Sequence, residues 1–172
     1  KYDIIAIINN NRNGKNKSIK ATHHFLRQDG IDNRGFHGWD KNENKFLINL
    51  ETNKTIKNII LLCPEGKECI ENINSIKGKY INKNINVISS GSEPWKESIF
   101  IFNKKKYKHS NSPSSGILTI KYMLENFPLH TIHIYGMNSI RTEYHDMKKE
   151  KEYIGECDRC IMHKTWKNTH ES

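Results

Sequence analysis

No stretch of this chain comes near the ~20 consecutive apolar residues that a membrane-spanning helix needs. The opening residues, Lys1-Tyr2-Asp3 onward, also lack the basic, apolar and small-residue segments of a secretory signal. A soluble chain without a transmembrane segment is therefore expected. Cysteine is scarce as well. The four cysteines, Cys63, Cys69, Cys157 and Cys160, are too few and too unevenly placed for a disulfide scaffold, so a reducing compartment is expected. Aromatic residues make up 9% of the chain and hydrophobic residues 35%, which limits it to a modest core under a heavily solvated surface. At 172 residues, one domain is expected.

What the chain does have is positive charge. Lysine and arginine number 28 against 19 acidic residues, a net charge of +9 that favours an anionic partner: a sugar nucleotide, a nucleic acid or an acidic membrane surface. Much of the lysine alternates with asparagine and isoleucine, as in Asn9 to Lys20 and Lys77 to Asn86, a compositional bias that also makes a solvated face. Lys104-Lys105-Lys106 with Lys108 is denser, but only Phe102 and Tyr107 flank it. A nucleic-acid module normally interleaves more aromatics with its basic residues, so nucleic acid is the less favoured partner.

Along the chain, Tyr2 to Asn9 and Ala21 to Arg27 read as strands, with a polar loop between them around Gly14. Asp29 to Trp39 reads as a surface loop and Lys45 to Leu50 as a short edge strand. Asn58-Ile59-Ile60-Leu61-Leu62-Cys63 is a continuous apolar run stopped by Pro64, the pattern of a strand buried on both faces in a parallel sheet. Glu65 to Ile76 has helical spacing, Ile85 to Ile88 is strand-like, Gly91 to Pro94 reads as a turn, and Ser98 to Phe102 is another short apolar run. Ser114 to Phe127 predicts a helix with Ile117, Ile120, Leu124 and Phe127 on one face, ended by Pro128. Thr131 to Met137 is the last clear strand, and Met147 to Ile154 a final charged helix. This alternation predicts a single three-layer α/β domain with a mostly parallel sheet.

Ser112-Pro113-Ser114-Ser115-Gly116 opens that long helix. Pro113 fixes the entering chain, Ser114 or Ser115 can cap the first N–H groups, and Gly116 lets a ligand approach the backbone. An ordinary helix cap and an anion-binding turn are both consistent with it. His145 follows the last strand at the end where open α/β sheets bind ligands, and a histidine there can serve as a general base. A surface histidine at a helix start is the alternative. His23 and His24 are neighbours on a strand and point to opposite faces, so one of them is expected to be buried and hydrogen-bonded. His37, His109 and His133 have no evident partner. Cys157-Asp158-Arg159-Cys160 with His163 has metal-ligand spacing, but a structural zinc site needs four ligands and no matched second pair is obvious, so Cys63 and Cys69 could complete it only through the fold; a redox pair or disulfide, or chance spacing near a fraying terminus, are the other readings.

Ser112 to Leu118 together with Ile134-Tyr135-Gly136 resembles the short sialyl motif of glycosyltransferase family 29, the eukaryotic-type sialyltransferases. The spacing of His145 and Glu150 resembles that family's very short motif. Upstream, Tyr2 to Asn9 and then Lys20 to Phe25 resemble the second half of the long sialyl motif. The resemblance implies a Rossmann-like domain of the sialyltransferase variant of the GT-A fold over residues 1–172, lacking its N-terminal strand and its glycine-containing donor loop. It implies transfer of sialic acid, or a related keto-acid sugar, from a CMP-sugar donor to a glycan acceptor, with inversion and no metal cofactor. By position, Asn9 would contact the cytidine nucleotide, and Ser114, Ser115 and Gly116 would hold the donor. His145 would act as general base, with Glu150 supporting the site. The chain departs from the family where Ile7 replaces an expected arginine, where only Tyr144 remains of the third motif, and where the cysteines linking the long and short motifs are missing. That last loss implies a bacterial-like or viral-like cytoplasmic enzyme, the alternative being the Golgi lumen for a fragment of a membrane-anchored one.

Overall fold

In a computed structural model of the chain, the residues described are 2–8, 21–27, 39–40, 45–46, 55–63, 74, 77–78, 81–89, 113–136 and 147–163. The chain divides into two compact units, Tyr2–Ser92 and Glu93–Ser172.

Among its described residues the first unit carries six strands: β1 (Ala6–Ile8), β2 (His23–Arg27), β3 (Trp39–Asp40), β4 (Lys45–Phe46), β5 (Asn58–Cys63) and β6 (Asn84–Ser89). Four of them form a wholly parallel sheet in the order β1-β2-β5-β6. The physical reason lies in β5. Ile59, Ile60, Leu61 and Leu62 are apolar without alternation, so both faces must be covered, and all four are fully buried between β2 and β6. Burying each such side chain contributes about 1.5–3 kcal/mol, which makes this run the strongest local determinant of the sheet. The β3 and β4 strands form a separate antiparallel pair, Trp39 opposite Phe46. Trp39 thus begins a strand where the sequence predicts the end of a loop.

Hydroxyl groups set where the strands start. The Thr22 hydroxyl donates to the Ile5 carbonyl and accepts from the Ile5 N–H, both at 3.1 Å, while the Thr22 N–H reaches the same carbonyl at 2.8 Å. These bonds occupy Ile5, and ladder pairing begins one residue later with Ala6 opposite His23. The strand expected from Tyr2 therefore begins at Ala6. Similarly, the Thr55 hydroxyl donates to the Ala21 carbonyl at 2.7 Å, just ahead of the β2–β5 register.

In β2 the four residues His23, His24, Phe25 and Leu26 are all buried, so both histidines are enclosed, not the one expected. A central strand of a covered parallel sheet has no solvent face to offer either of them. Along β6, by contrast, Asn84, Asn86 and Val87 are exposed and Ile88 is buried. Of the helix expected over Glu65–Ile76, only residue 74 is described, and it is helical.

The second unit contains α1 (Ser115–Asn126), β7 (Ile132–Tyr135), α2 (Met147–Gly155) and β8 (Cys160–His163). The 3.6-residue spacing of Ile117, Ile120 and Leu124 places them against Ile132 and Ile134 of β7 and Ile154 of α2, with Tyr153 and Cys160 at the margin. β7 and β8 pair in parallel, Ile132 opposite Cys160 and Tyr135 opposite His163. α2 is the connection a parallel pair requires. β8 is a strand that the sequence reading lacks: the segment expected to fray is an ordered turn leading into it. Among the described residues no helix is long and apolar enough to cross a membrane.

Among the described residues the architecture is thus mixed α/β, with a four-stranded parallel sheet and few helices.

Candidate functional site

Ser114 caps α1. Its backbone is extended (φ −66°, ψ 157°), and its hydroxyl accepts the Ile117 N–H at 3.1 Å, satisfying one of the donors a helix N-terminus leaves open. The same hydroxyl donates to Oε2 of Glu150 at 2.6 Å, and the Ser114 N–H donates to Oε1 at 3.0 Å. One serine therefore engages both carboxylate oxygens of a residue 36 positions away. Glu150 is fully buried and Ser114 is 2% exposed. A buried carboxylate is costly unless it is hydrogen-bonded, and two donors from Ser114 meet that requirement in part. Glu150 also lies in the first turn of α2, so its carboxyl group sits near the N-terminal ends of two helices at once, where the dipoles favour a carboxylate.

Ser115 and Gly116 form the first turn of α1 and are buried; the Ser115 carbonyl accepts the Thr119 hydroxyl at 2.8 Å. The structure thus brings together Ser114, Ser115, Gly116 and Glu150. Asn9 and His145 lie outside the described residues, as do the basic cluster Lys104–Lys108 and the runs Gly91–Pro94 and Ser98–Phe102.

Two further groups in this unit have no clear signal in the sequence. The Arg159 guanidinium donates to the carbonyls of Leu124 (2.9 Å), Phe127 (2.9 Å), Pro128 (2.7 Å) and His130 (3.2 Å). It caps the C-terminal end of α1, where the exposed carbonyls and the dipole favour a cation. The second group is His133, Tyr135 and His163. His133 Nδ1 and His163 Nε2 are 2.9 Å apart with the ring planes at 17°, so the imidazoles meet edge to edge through a shared hydrogen bond, one donating and one accepting. The His163 ring also lies parallel to Tyr135, with centroids 4.4 Å apart and planes at 8°. Only the pairing of β7 with β8 creates this group, which is why His133 alone showed no partner.

The metal reading of Cys157, Cys160 and His163 is not supported. Cys160 packs with the apolar core, while His163, three residues on along a strand, presents to the other face and pairs with His133. Among the described residues no group of three or more histidine, cysteine or acidic side chains is placed to hold a metal ion. Cys157 and Cys160 are free thiols, whereas Cys63, at the end of β5, is disulfide-bonded.

Elsewhere, burial lowers the pKa of His23, whose Nδ1 lies 2.9 Å from the Thr22 hydroxyl. Burial likewise lowers that of Lys83, whose ammonium donates to the Ile56 carbonyl. Both read as structural groups that tie strand ends together.

Comparison with known protein families, with curated proteins and with solved structures gives no match.

Proposed function

We propose that this chain is a sialyltransferase-like glycosyltransferase, which transfers sialic acid or a related keto-acid sugar from a CMP-sugar to a glycan hydroxyl with inversion. The observation that supports this reading is the double hydrogen bond between Ser114 and Glu150, because it joins the residues that resemble the short and very short sialyl motifs. Those motifs are far apart in sequence, and a shared site requires that they meet. In this reading Ser114 fixes the turn through its two hydrogen bonds to Glu150 and belongs with Ser115 and Gly116 to the donor-binding turn. Ser115 and Gly116 then supply the donor contacts at the N-terminus of α1, where backbone N–H groups and the dipole favour an anion.

In the reaction, His145 accepts the proton of the acceptor hydroxyl as that oxygen attacks C2 of the sugar, and CMP departs from the opposite face. The transition state has oxocarbenium character, so alignment and charge stabilisation supply most of the acceleration.

The test is calorimetric titration of CMP, AMP and a short single-stranded oligonucleotide into the full chain. The proposal expects selective CMP binding that weakens in Ser115→Ala, and transfer activity that is abolished in His145→Ala while CMP binding is retained. Binding of the oligonucleotide alone, falling steeply with added salt, would reject it in favour of a basic nucleic-acid module.

A further inference from the structure

The turn between α2 and β8 carries chemistry that the proposed transfer does not use. The Cys157 N–H donates to the Ile154 carbonyl at 3.2 Å, which ends α2, and the Cys160 N–H donates to the Cys157 carbonyl at 3.0 Å, which closes a four-residue turn. A turn of this kind keeps its end Cα atoms within ~7 Å. That span overlaps the ~4.4–6.8 Å that a disulfide requires. Both cysteines are free and half-buried.

We propose that Cys157 and Cys160 form a redox-active dithiol that closes to a disulfide within the turn by exchange with a small-molecule disulfide, and reopens with the corresponding thiol. The Cys157 thiolate attacks one sulfur of glutathione disulfide, forming a mixed disulfide and expelling one glutathione thiolate, which takes up a proton. The Cys160 thiol then gives up its proton and attacks the Cys157 sulfur, releasing the second glutathione. Two protein thiols are oxidised, and one glutathione disulfide is reduced to two glutathione molecules.

The two cysteines have distinct parts in this scheme. Burial, a hydrogen bond to Cys157 and the charge of Cys157 push the Cys160 thiol up to about 12, against the opposing pull of Arg159. First attack therefore falls to Cys157, with Cys160 resolving the intermediate. A metal reading competes poorly, since no third ligand stands beside the pair among the described residues.

The inference has a structural consequence. Arg159 lies inside the ring that the disulfide would close, and it is the side chain that caps α1. Oxidation restrains the turn that presents this guanidinium.

The test uses the full chain, equilibrated with glutathione disulfide, alkylated and digested with trypsin without reduction. Cleavage after Arg159 separates Glu152–Arg159 from Cys160–Lys164, so the two peptides are recovered joined only if the disulfide has formed. The joined species is expected in the wild type and is expected to disappear on adding reduced glutathione. In Cys160→Ser, the glutathione adduct on Cys157 should accumulate because nothing resolves it. Separate, alkylated peptides from the oxidised wild type would overturn the proposal. So would a wild-type adduct on Cys157 as persistent as that of Cys160→Ser. The wild-type digest decides this by itself, whatever the variants do.

Discussion

Besides the helical bond that its carbonyl accepts from the Leu118 N–H, Ser114 makes three hydrogen bonds through its N–H and its hydroxyl. Its hydroxyl can accept from the Ile117 N–H and donate to Glu150 together, so it bridges the helix end and the carboxylate. Replacing Ser114 by alanine removes the cap, at about 1 kcal/mol, and strips one donor from a buried charge, at about 1–3 kcal/mol. Urea unfolding should therefore show Ser114→Ala destabilised by roughly 2–4 kcal/mol. The Ser114→Ala/Glu150→Ala double variant should lose less than the sum of its singles, with a coupling of about 0.5–3 kcal/mol. Additive losses would mean that the two side chains do not act as a unit. His23 allows a second prediction at this scale. Its folded pKa is lowered from the ordinary 6.5 by burial, so below that value the unfolded chain binds the proton more readily. Stability should accordingly fall as pH drops through 6.5 toward the folded value, and be insensitive to His23 above it. His23→Gln should flatten this part of the acid limb in unfolding midpoints measured between pH 7.5 and 5. An unchanged limb would assign it to other groups.

Among the elements, β5 and α1 were legible because each has an unambiguous signal: an uninterrupted apolar run bounded by proline for one, apolar residues at helical spacing behind a serine cap for the other. β8 was not. Cys160-Ile161-Met162-His163 is short and half-polar, and only its ladder with β7 makes it a strand. The same holds for the histidine pair, which no local pattern announces since its two members lie on different strands. Of the candidate site, the cap was legible from local chemistry, whereas the meeting of Ser114 with Glu150, 36 positions apart, has no local signal in the sequence. Arg159 belongs to this scale because its action is on a helix. Arg159→Ala should destabilise the chain by about 1.5–3 kcal/mol, as expected for hydrogen bonds from a charged group. It should also speed amide exchange most in the last turn of α1. Arg159→Lys should recover only part of the loss, because an ammonium cannot spread donors over four carbonyls as the planar guanidinium does. Exchange that rises uniformly over both helices would contradict this local role.

At the scale of the whole molecule, the disulfide at Cys63 and the free pair at Cys157 and Cys160 predict two separable responses to reductant. Strong reduction should lower the melting temperature of the chain, and Cys63→Ala should remove most of that sensitivity while leaving chemistry at the 157–160 turn intact. A melting temperature indifferent to reductant would mean that the Cys63 bond carries little of the stability. The charge of +9 makes a second bulk property testable, since any anionic partner held mainly by that field should be released as salt rises. The segment from Glu150 to Arg159 has a further consequence, for tolerance of insertions. It meets α1 at both ends, with a negative charge at the start and a positive one at the finish. Adding one residue to an α-helix advances its end by about 1.5 Å and turns it by about 100°, so every insertion inside α1 would swing its last carbonyls away from the guanidinium or its cap away from the carboxylate. The segment works as a gauge that accepts a helix of one length. Variants of this chain should accordingly gain or lose residues elsewhere, and change the length of α1 only when the stretch between Glu150 and Arg159 changes with it.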